Sequence, residues 1–395
     1  VAVWIVFAAW RGAVAPPVSH DALSYHFPKA AAYAMTGRYD PVPELSARAR
    51  NIPVNYELLL ADVLLIEGGD DVSEWVSIIH YLFFIISACA LASRWWKDGS
   101  VTLMALLVAS IPVALLHSSA HKNDLMTAAF MTAALVWLGR FFSDGELQAL
   151  LLAAASLAMA AGTKPQAALL AVAAVPVVLW RLWSAPGFVR RLTSIAMASL
   201  VMAALLGGAY FPIDRAATKP ASPDASVTYT PVAYGDWQNL WQGPYVLIKA
   251  PFSRSANSLQ VPWAKQAWFW RRYEIYFSEL GVVFASCAVL LPFAVWRFRR
   301  MNSHRHFERI AVSIITFAAF LALLPVVFRP AGLYTISLPR YTLFVVPVVF
   351  CWTLCALASA RAGLRRPLIV GAVIVFIVYA CFAAMRDTFL PLRYA

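Results

Sequence analysis

The sequence predicts an all-α polytopic membrane protein of about 11 transmembrane helices, with two long outer loops that carry interfacial helices. Three observations predict it. Apolar residues fill 61% of the 395 positions and charged residues only 13%, whereas a soluble domain is nearer half apolar and a quarter charged. The apolar residues fall in long runs separated by short polar loops, and mean hydropathy is +0.68. Lys and Arg gather in alternate loops. Within a bilayer such runs must satisfy their own backbone polar groups, so they are helical.

The elements follow in order. Val1 to Trp10 is apolar but only half of the roughly 20 residues a span needs, so the chain is expected to begin inside its first span. A cleaved signal peptide is disfavoured, because the run lacks a charged n-region and a small-residue cleavage site. Further spans are predicted at 75–93, 101–117, 124–142, 147–161, 166–183, 192–211, 277–296, 310–328, 340–360 and 367–385. Residues 1–395 form one membrane domain, with outer loops at 11–74 and 212–276. Within the first loop, 21–36 and 52–66 are candidate helices lying along the membrane; the latter is too short and too acidic to span.

Orientation follows from charge. One set of short loops holds 14 Lys and Arg residues, the opposite set with the tail only 6. The richer side is cytoplasmic. This pattern also absorbs much of the net charge of +12, so no nucleic-acid partner is implied. The five cysteines all fall inside apolar runs, which argues against a disulfide framework or a metal-thiolate site. The second loop carries Trp237, Trp241, Trp263, Trp268 and Trp270. These either stack on sugar rings or anchor in the headgroup layer, and the second is the better prior.

The stretch Ser19 to Pro28 is polar and lies just outside the first apolar run. Asp21 stands there beside His20, with Tyr25 and His26 following. In glycosyl transfer from a lipid phosphate, the phosphate is already a good leaving group. The enzyme must supply a base for the acceptor hydroxyl and cations for the departing phosphate. Asp21 is the candidate base; the competing reading is a helix cap supplied by Ser19, His20 or Asp21. Three outer cations sit at span ends: Lys122 with Asn123 and Asp124, Lys164 in Gly162-Thr163-Lys164-Pro165, and Arg340 with Tyr341. Each alone reads as interfacial snorkelling; together they read as an anion clamp. No GxxxxGK[ST] pattern is present, so no nucleotide is implied.

Glu57 and Asp62 lie in the apolar 52–66 segment. They either face water on an amphipathic helix, the favoured reading, or serve the site. Glu67, Asp70 and Asp71 read as a solvated acidic turn, with divalent-cation binding the lesser alternative. His117 and His121 have i, i+4 spacing, but without an HExxH pattern no histidine is assigned a metal.

In this order and topology, Asp21-Ala-Leu-Ser-Tyr-His-Phe-Pro, Asn123-Asp124, Gly162 to Lys164 and Arg340-Tyr341 resemble the GT-C membrane glycosyltransferases. That class includes protein O-mannosyltransferases, aminoarabinose transferases and bacterial lipopolysaccharide glycosyltransferases. The resemblance implies a polyprenyl-phosphate sugar donor, inversion at the anomeric carbon, and a site facing the periplasm across a bacterial inner membrane. The acceptor would be a lipid, polysaccharide or protein. Asp21 would be catalytic. His20, Tyr25, His26, Glu57, Lys122, Asn123, Asp124, Lys164, Arg340 and Tyr341 would meet substrate. Many members carry adjacent acidic residues where this chain has His20-Asp21, so no metal ligand is assigned and a divalent cation stays open as a cofactor. The alternatives are a transporter or flippase, disfavoured by the scarcity of charge inside the spans, and a polysaccharide ligase or polymerase.

Overall fold

The computed structural model describes residues 1–14, 21–37, 54–96, 100–183, 187–206, 287, 291–292, 306–327, 340, 342–360 and 365–389. The expected second outer loop, with its tryptophans, and the expected 277–296 span apart from three residues lie outside the described residues. The described chain is almost wholly helical and divides into two compact units.

The first unit comprises Ala2–Phe84 and His117–Pro231. It opens with α1 (Ala2–Val14), followed by a five-residue π turn (Ala22–His26) that runs directly into α2 (Phe27–Thr36). Next come α3 (Asn55–Glu67) and the start of α4 (Trp75–Trp95). The 11–74 segment thus contains both expected short helices. The α3 helix stops at Gly68, whose φ of 75° lets the chain turn away while its N–H caps Leu64 O. A side chain there would be strained.

Helices α2 and α3 pack on each other through Ala30, Tyr33, Tyr56, Leu60 and Ala61. The cluster closes over Val76 of α4 and Met126 of α7 (Asp124–Asp144). Burying a side chain such as Leu60 stabilises by about 1.5–3 kcal/mol. From α7 the chain doubles back along α8 (Leu147–Ala161), then passes through a 3-10 turn (Pro165–Ala167) into α9 (Ala168–Trp183) and α10 (Phe188–Leu206). The α10 helix buries no side chain, as suits an apolar helix that faces lipid.

The second unit comprises Val1, Ile85–Leu116 and Val232–Ala395. Here α5 (Ser100–Ala109) packs against α12 (Val345–Ala360) and α13 (Arg365–Phe389), and α11 (His306–Val327) packs against α12. Arg94, near the end of α4, grips Glu308 with Nε at 2.6 Å and Nη2 at 3.0 Å from its two oxygens. Trp352 Nε1 donates to Ser313 Oγ at 2.8 Å, and its ring meets Trp95 edge-on. The expected single span at 101–117 is instead a helix pair, α5 and α6 (Pro112–Ser118), bent by 74°. Pro112 disfavours helical geometry at Ile111 and cannot donate to the preceding turn, so the helix breaks there.

Among the described residues, four helices are long and apolar enough to cross a membrane: 75–95, 124–144, 165–183 and 188–206. With the bent pair they number up to five. The chain is an integral membrane protein. The expected total of about 11 includes segments beyond the described residues.

A candidate active site at one end of the first unit

Polar side chains converge where α4 and α7 begin and α6 and α8 end. Three short links, 68–74, 119–123 and 162–164, are stitched together there. Ser73 Oγ donates to Asp70 O at 2.7 Å and meets His121 Nε2 at 2.8 Å. With the hydroxyl proton used on Asp70, His121 donates through Nε2 and keeps Nδ1 unprotonated. Burial, helped by the nearby Arg11 and His26, pushes the His121 pKa down to about 3, so the ring is neutral. Tyr56 OH donates to Ser77 Oγ at 3.0 Å, and Ser77 donates onward to Ala120 O at 2.8 Å. Burial holds the Tyr56 phenol well above its ordinary pKa. Trp4 Nε1 donates to Ser118 Oγ, and Arg11 Nη2 to Ser119 O.

The Gly162-Thr163-Lys164 turn is clamped from two sides. Asn55 N donates to Gly162 O at 3.1 Å, and Asn55 Nδ2 donates to Leu206 O at 2.6 Å. Asn123 Nδ2 reaches Thr163 O at 3.2 Å. A Cβ on residue 162 would lie 2.3 Å from Asn55 Nδ2, so only glycine permits this approach. Lys164 Nζ is bound to Asp124, whose other oxygen lies 3.3 Å from His117 Nδ1. An ammonium expected to await an anion therefore already has a carboxylate in contact.

The remaining charges sort by depth. Arg11 lies 3.8 Å from Glu74, both buried. Burial outweighs that cation and lifts the Glu74 carboxyl to about 7. His26 Nδ1 lies 2.6 Å from Glu57 Oε1, with both side chains essentially inaccessible. The His26 ring stands between Tyr25, at 4.2 Å, and Tyr56, at 5.2 Å. Lys29 is also fully buried; desolvation lowers its pKa, and the Glu57 charge partly restores it. Asp21 and Lys122 differ from all of these. Lys122 Nζ stands 3.6 Å from Asp21 Oδ2, and the two side chains are 21% and 24% exposed.

The expected residues are thus divided. Asp21, Tyr25, His26, Glu57, Lys122, Asn123, Asp124 and Lys164 all belong to the first unit. Glu57, read from sequence as water-facing, is instead buried against His26, because α3 lies beneath α2 and does not float on the surface. Asn123 and Asp124 are buried and hold the neighbouring turn. Asp21 opens the π turn without making a side-chain cap hydrogen bond, so capping does not account for it. The Glu67–Asp71 turn is exposed, with Glu67 accepting from Val72 N–H at 3.0 Å. Arg340 belongs to the second unit and is half-buried. His20 and Tyr341 lie outside the described residues.

Sequence reasoning passed over Arg11, Lys29, Asn55, Tyr56, Ser73, Glu74 and Ser77. One signal was available for Arg11, Lys29 and Glu74: each is a lone charge within or beside an apolar run. Such charges are buried only when paired.

Residues 53–208 match the family model described as dolichyl-phosphate-mannose-protein mannosyltransferase. The chain resembles the GT-C membrane glycosyltransferases. The matched segment carries Glu57, Lys122, Asn123, Asp124 and Lys164, whereas Asp21 and Arg340 lie beyond it. Two solved structures of ArnT from Cupriavidus metallidurans are also similar. The apo form shares 13% identity over 90% of this chain and 76% of that one, with a TM-score of 0.45. The form bound to undecaprenyl phosphate gives 13%, 91%, 77% and 0.45. No curated protein sequence matches the chain.

Proposed function

We propose that this chain is an inverting glycosyltransferase of the outer face of a bacterial inner membrane. It moves a sugar from a polyprenyl-phosphate donor to a lipid, polysaccharide or protein acceptor. The observation that carries the reading is the partly exposed Asp21–Lys122 pair beside ion pairs that are more deeply enclosed. Asp21 accepts the proton of the acceptor hydroxyl as its oxygen bonds to the anomeric carbon. The bond from that carbon to the phosphate oxygen breaks, and the polyprenyl phosphate leaves with the bonding electrons. Lys122 lies against the charge that develops on the departing phosphate.

Tyr25, half-buried against the His26 ring, is assigned to substrate contact. Asn123, Asp124 and Lys164 hold the adjoining turn in place beneath the pair. The step uses a carboxylate and cations only, and the family match and the polyprenyl-phosphate-bound relative support the donor class.

The test is sugar transfer in membranes containing wild type or Asp21→Asn, with polyprenyl-phosphate sugars and a crude envelope acceptor. The variant should lose about 10²–10⁴-fold in rate. Equal turnover by both proteins at equal expression would remove Asp21 as the base.

A further inference from the structure

We infer that Glu57 is a positioning residue: acting through His26, it sets the π turn that presents Asp21 to Lys122. The inference rests on the proposed transferase reading for its catalytic consequence, but its geometry stands apart from that reading. Asp21 is the residue from which the π turn starts, and His26 is the residue with which it ends. Phe27 N–H bonds to Ala22 O, the five-residue step that defines such a turn. A π turn is less favourable than an α turn and persists where tertiary contacts hold it.

The contact that holds this one is visible. His26 Nδ1 donates to Glu57 Oε1 at 2.6 Å, and neither side chain reaches solvent. The imidazole is fixed edge-on to Tyr56, whose hydroxyl is tied to Ser77 of α4. The second Glu57 oxygen has no hydrogen-bond partner among the described residues. Half of a buried carboxyl is therefore left unsatisfied so that the other half can hold His26. Buried Lys29, one turn further on, supplies the compensating charge. A residue enclosed in this way cannot touch a sugar or a phosphate. Its route to the chemistry is the backbone of the turn.

The experiment reads Asp21 directly. The purified full chain is treated with a water-soluble carbodiimide and glycine ethyl ester, and the labelling rates of Asp21 and Asp124 are followed by peptide mass spectrometry. Lys122→Met gives the rate for an Asp21 freed from its partner. Glu57→Ala and His26→Phe should speed Asp21 labelling about tenfold, towards that reference, as expected when one charge-assisted hydrogen bond is lost. Glu57→Gln keeps an acceptor, and His26→Asn keeps a donor near the Nδ1 position. Both should stay near the wild-type rate. Slow labelling of Asp124 shows that the bundle is intact; where Glu57→Ala fails that control, His26→Phe decides. Asp21 labelling at the wild-type rate in the intact variants overturns the inference.

In the transfer assay, Glu57→Ala should lower kcat about 10–100-fold with the donor KM unchanged, since a displaced base costs rate and leaves donor binding alone. Full kcat in Glu57→Ala would also overturn it. If wild type transfers nothing, the transferase reading fails while the labelling result still decides this one.

Discussion

Replacing Gly162 with alanine tests whether the Gly-Thr-Lys turn is a structural clamp. The added Cβ would lie 2.3 Å from Asn55 Nδ2, 2.8 Å from Asn55 Cγ and 2.9 Å from the Leu206 carbonyl oxygen. The amide can swing away, but only by breaking its 2.6 Å bond to Leu206 O. The backbone contact cannot be relieved by a rotamer change. Overpacking of this kind costs about 1–3 kcal/mol, and the lost hydrogen bond adds about 1 kcal/mol more. A total near 3 kcal/mol corresponds to a Tm lower by about 6–12 °C for a unit of this size. The assay is thermal unfolding of the detergent-solubilised chain, run as a cycle with Asn55→Ala and the double variant. Asn55→Ala removes the nearest obstructing atoms, so the pair should be coupled by at least about 1 kcal/mol, the double variant losing less than the sum. A Gly162→Ala protein that melts within 2 °C of wild type, or strict additivity, would refute the close approach on which this reasoning rests.

Other expectations follow from how the charges are paired. Lys164→Met removes the ammonium bound to buried Asp124 and should cost about 3–5 kcal/mol in unfolding, whereas Lys122→Met should leave the Tm nearly unchanged and abolish transfer, as parallel melting and transfer assays will show. Glu74 titrates at about 7 when folded against 4.5 for the free side chain. The folded state therefore keeps a proton that the unfolded chain releases in that window. This stabilisation is complete below pH 4.5 and is lost by pH 7, a change of about 3 kcal/mol. Melting curves from pH 4.5 to 8 should show the slope in wild type and a flatter line in Glu74→Gln. In the second unit, Arg94→Lys cannot reproduce the two-pronged grip on Glu308. It should lower stability by about 1–2 kcal/mol in the same melting assay.

The helical, membrane-spanning character was legible because hydrocarbon length and apolar runs are local properties of the chain. The short helices expected at 21–36 and 52–66 were legible for the same reason. The bend at Pro112 carried its own signal, a proline inside an apolar run, which a hydropathy window averages away. The partners of charges were not legible. Lys122 and Lys164 look alike in sequence, each a lone cation beside a span end. They differ only in what the fold brings to them. Asp124 is 40 residues from Lys164 and buried beneath it, while Asp21 meets Lys122 at a more accessible edge. Glu57 was misplaced because its helix has no strong polar face, so nothing local showed which side packs beneath α2.

The distribution of burial around Asp21 is itself an argument about mechanism. Buried ion pairs contribute little net stability, because desolvation offsets their attraction. A fold that surrounds one spot with Arg11–Glu74, His26–Glu57 and Lys164–Asp124 gains rigidity more than free energy. Two of the pairs fix short links, at Glu74 and at Lys164, and the third fixes the π turn, so on the proposed reading the site holds its shape as substrates arrive. Electrostatic catalysis depends on charges held in place before the reaction begins. Among the described pairs at this end, Asp21–Lys122 is the most accessible, and on the proposed reading it is where a substrate enters. A phosphate drawn to Lys122 would loosen that ammonium's hold on Asp21, and a carboxylate released from a cation is a stronger base. On the proposed reading, donor binding would then raise the basicity that the acceptor hydroxyl requires, and the donor is expected to bind before the acceptor.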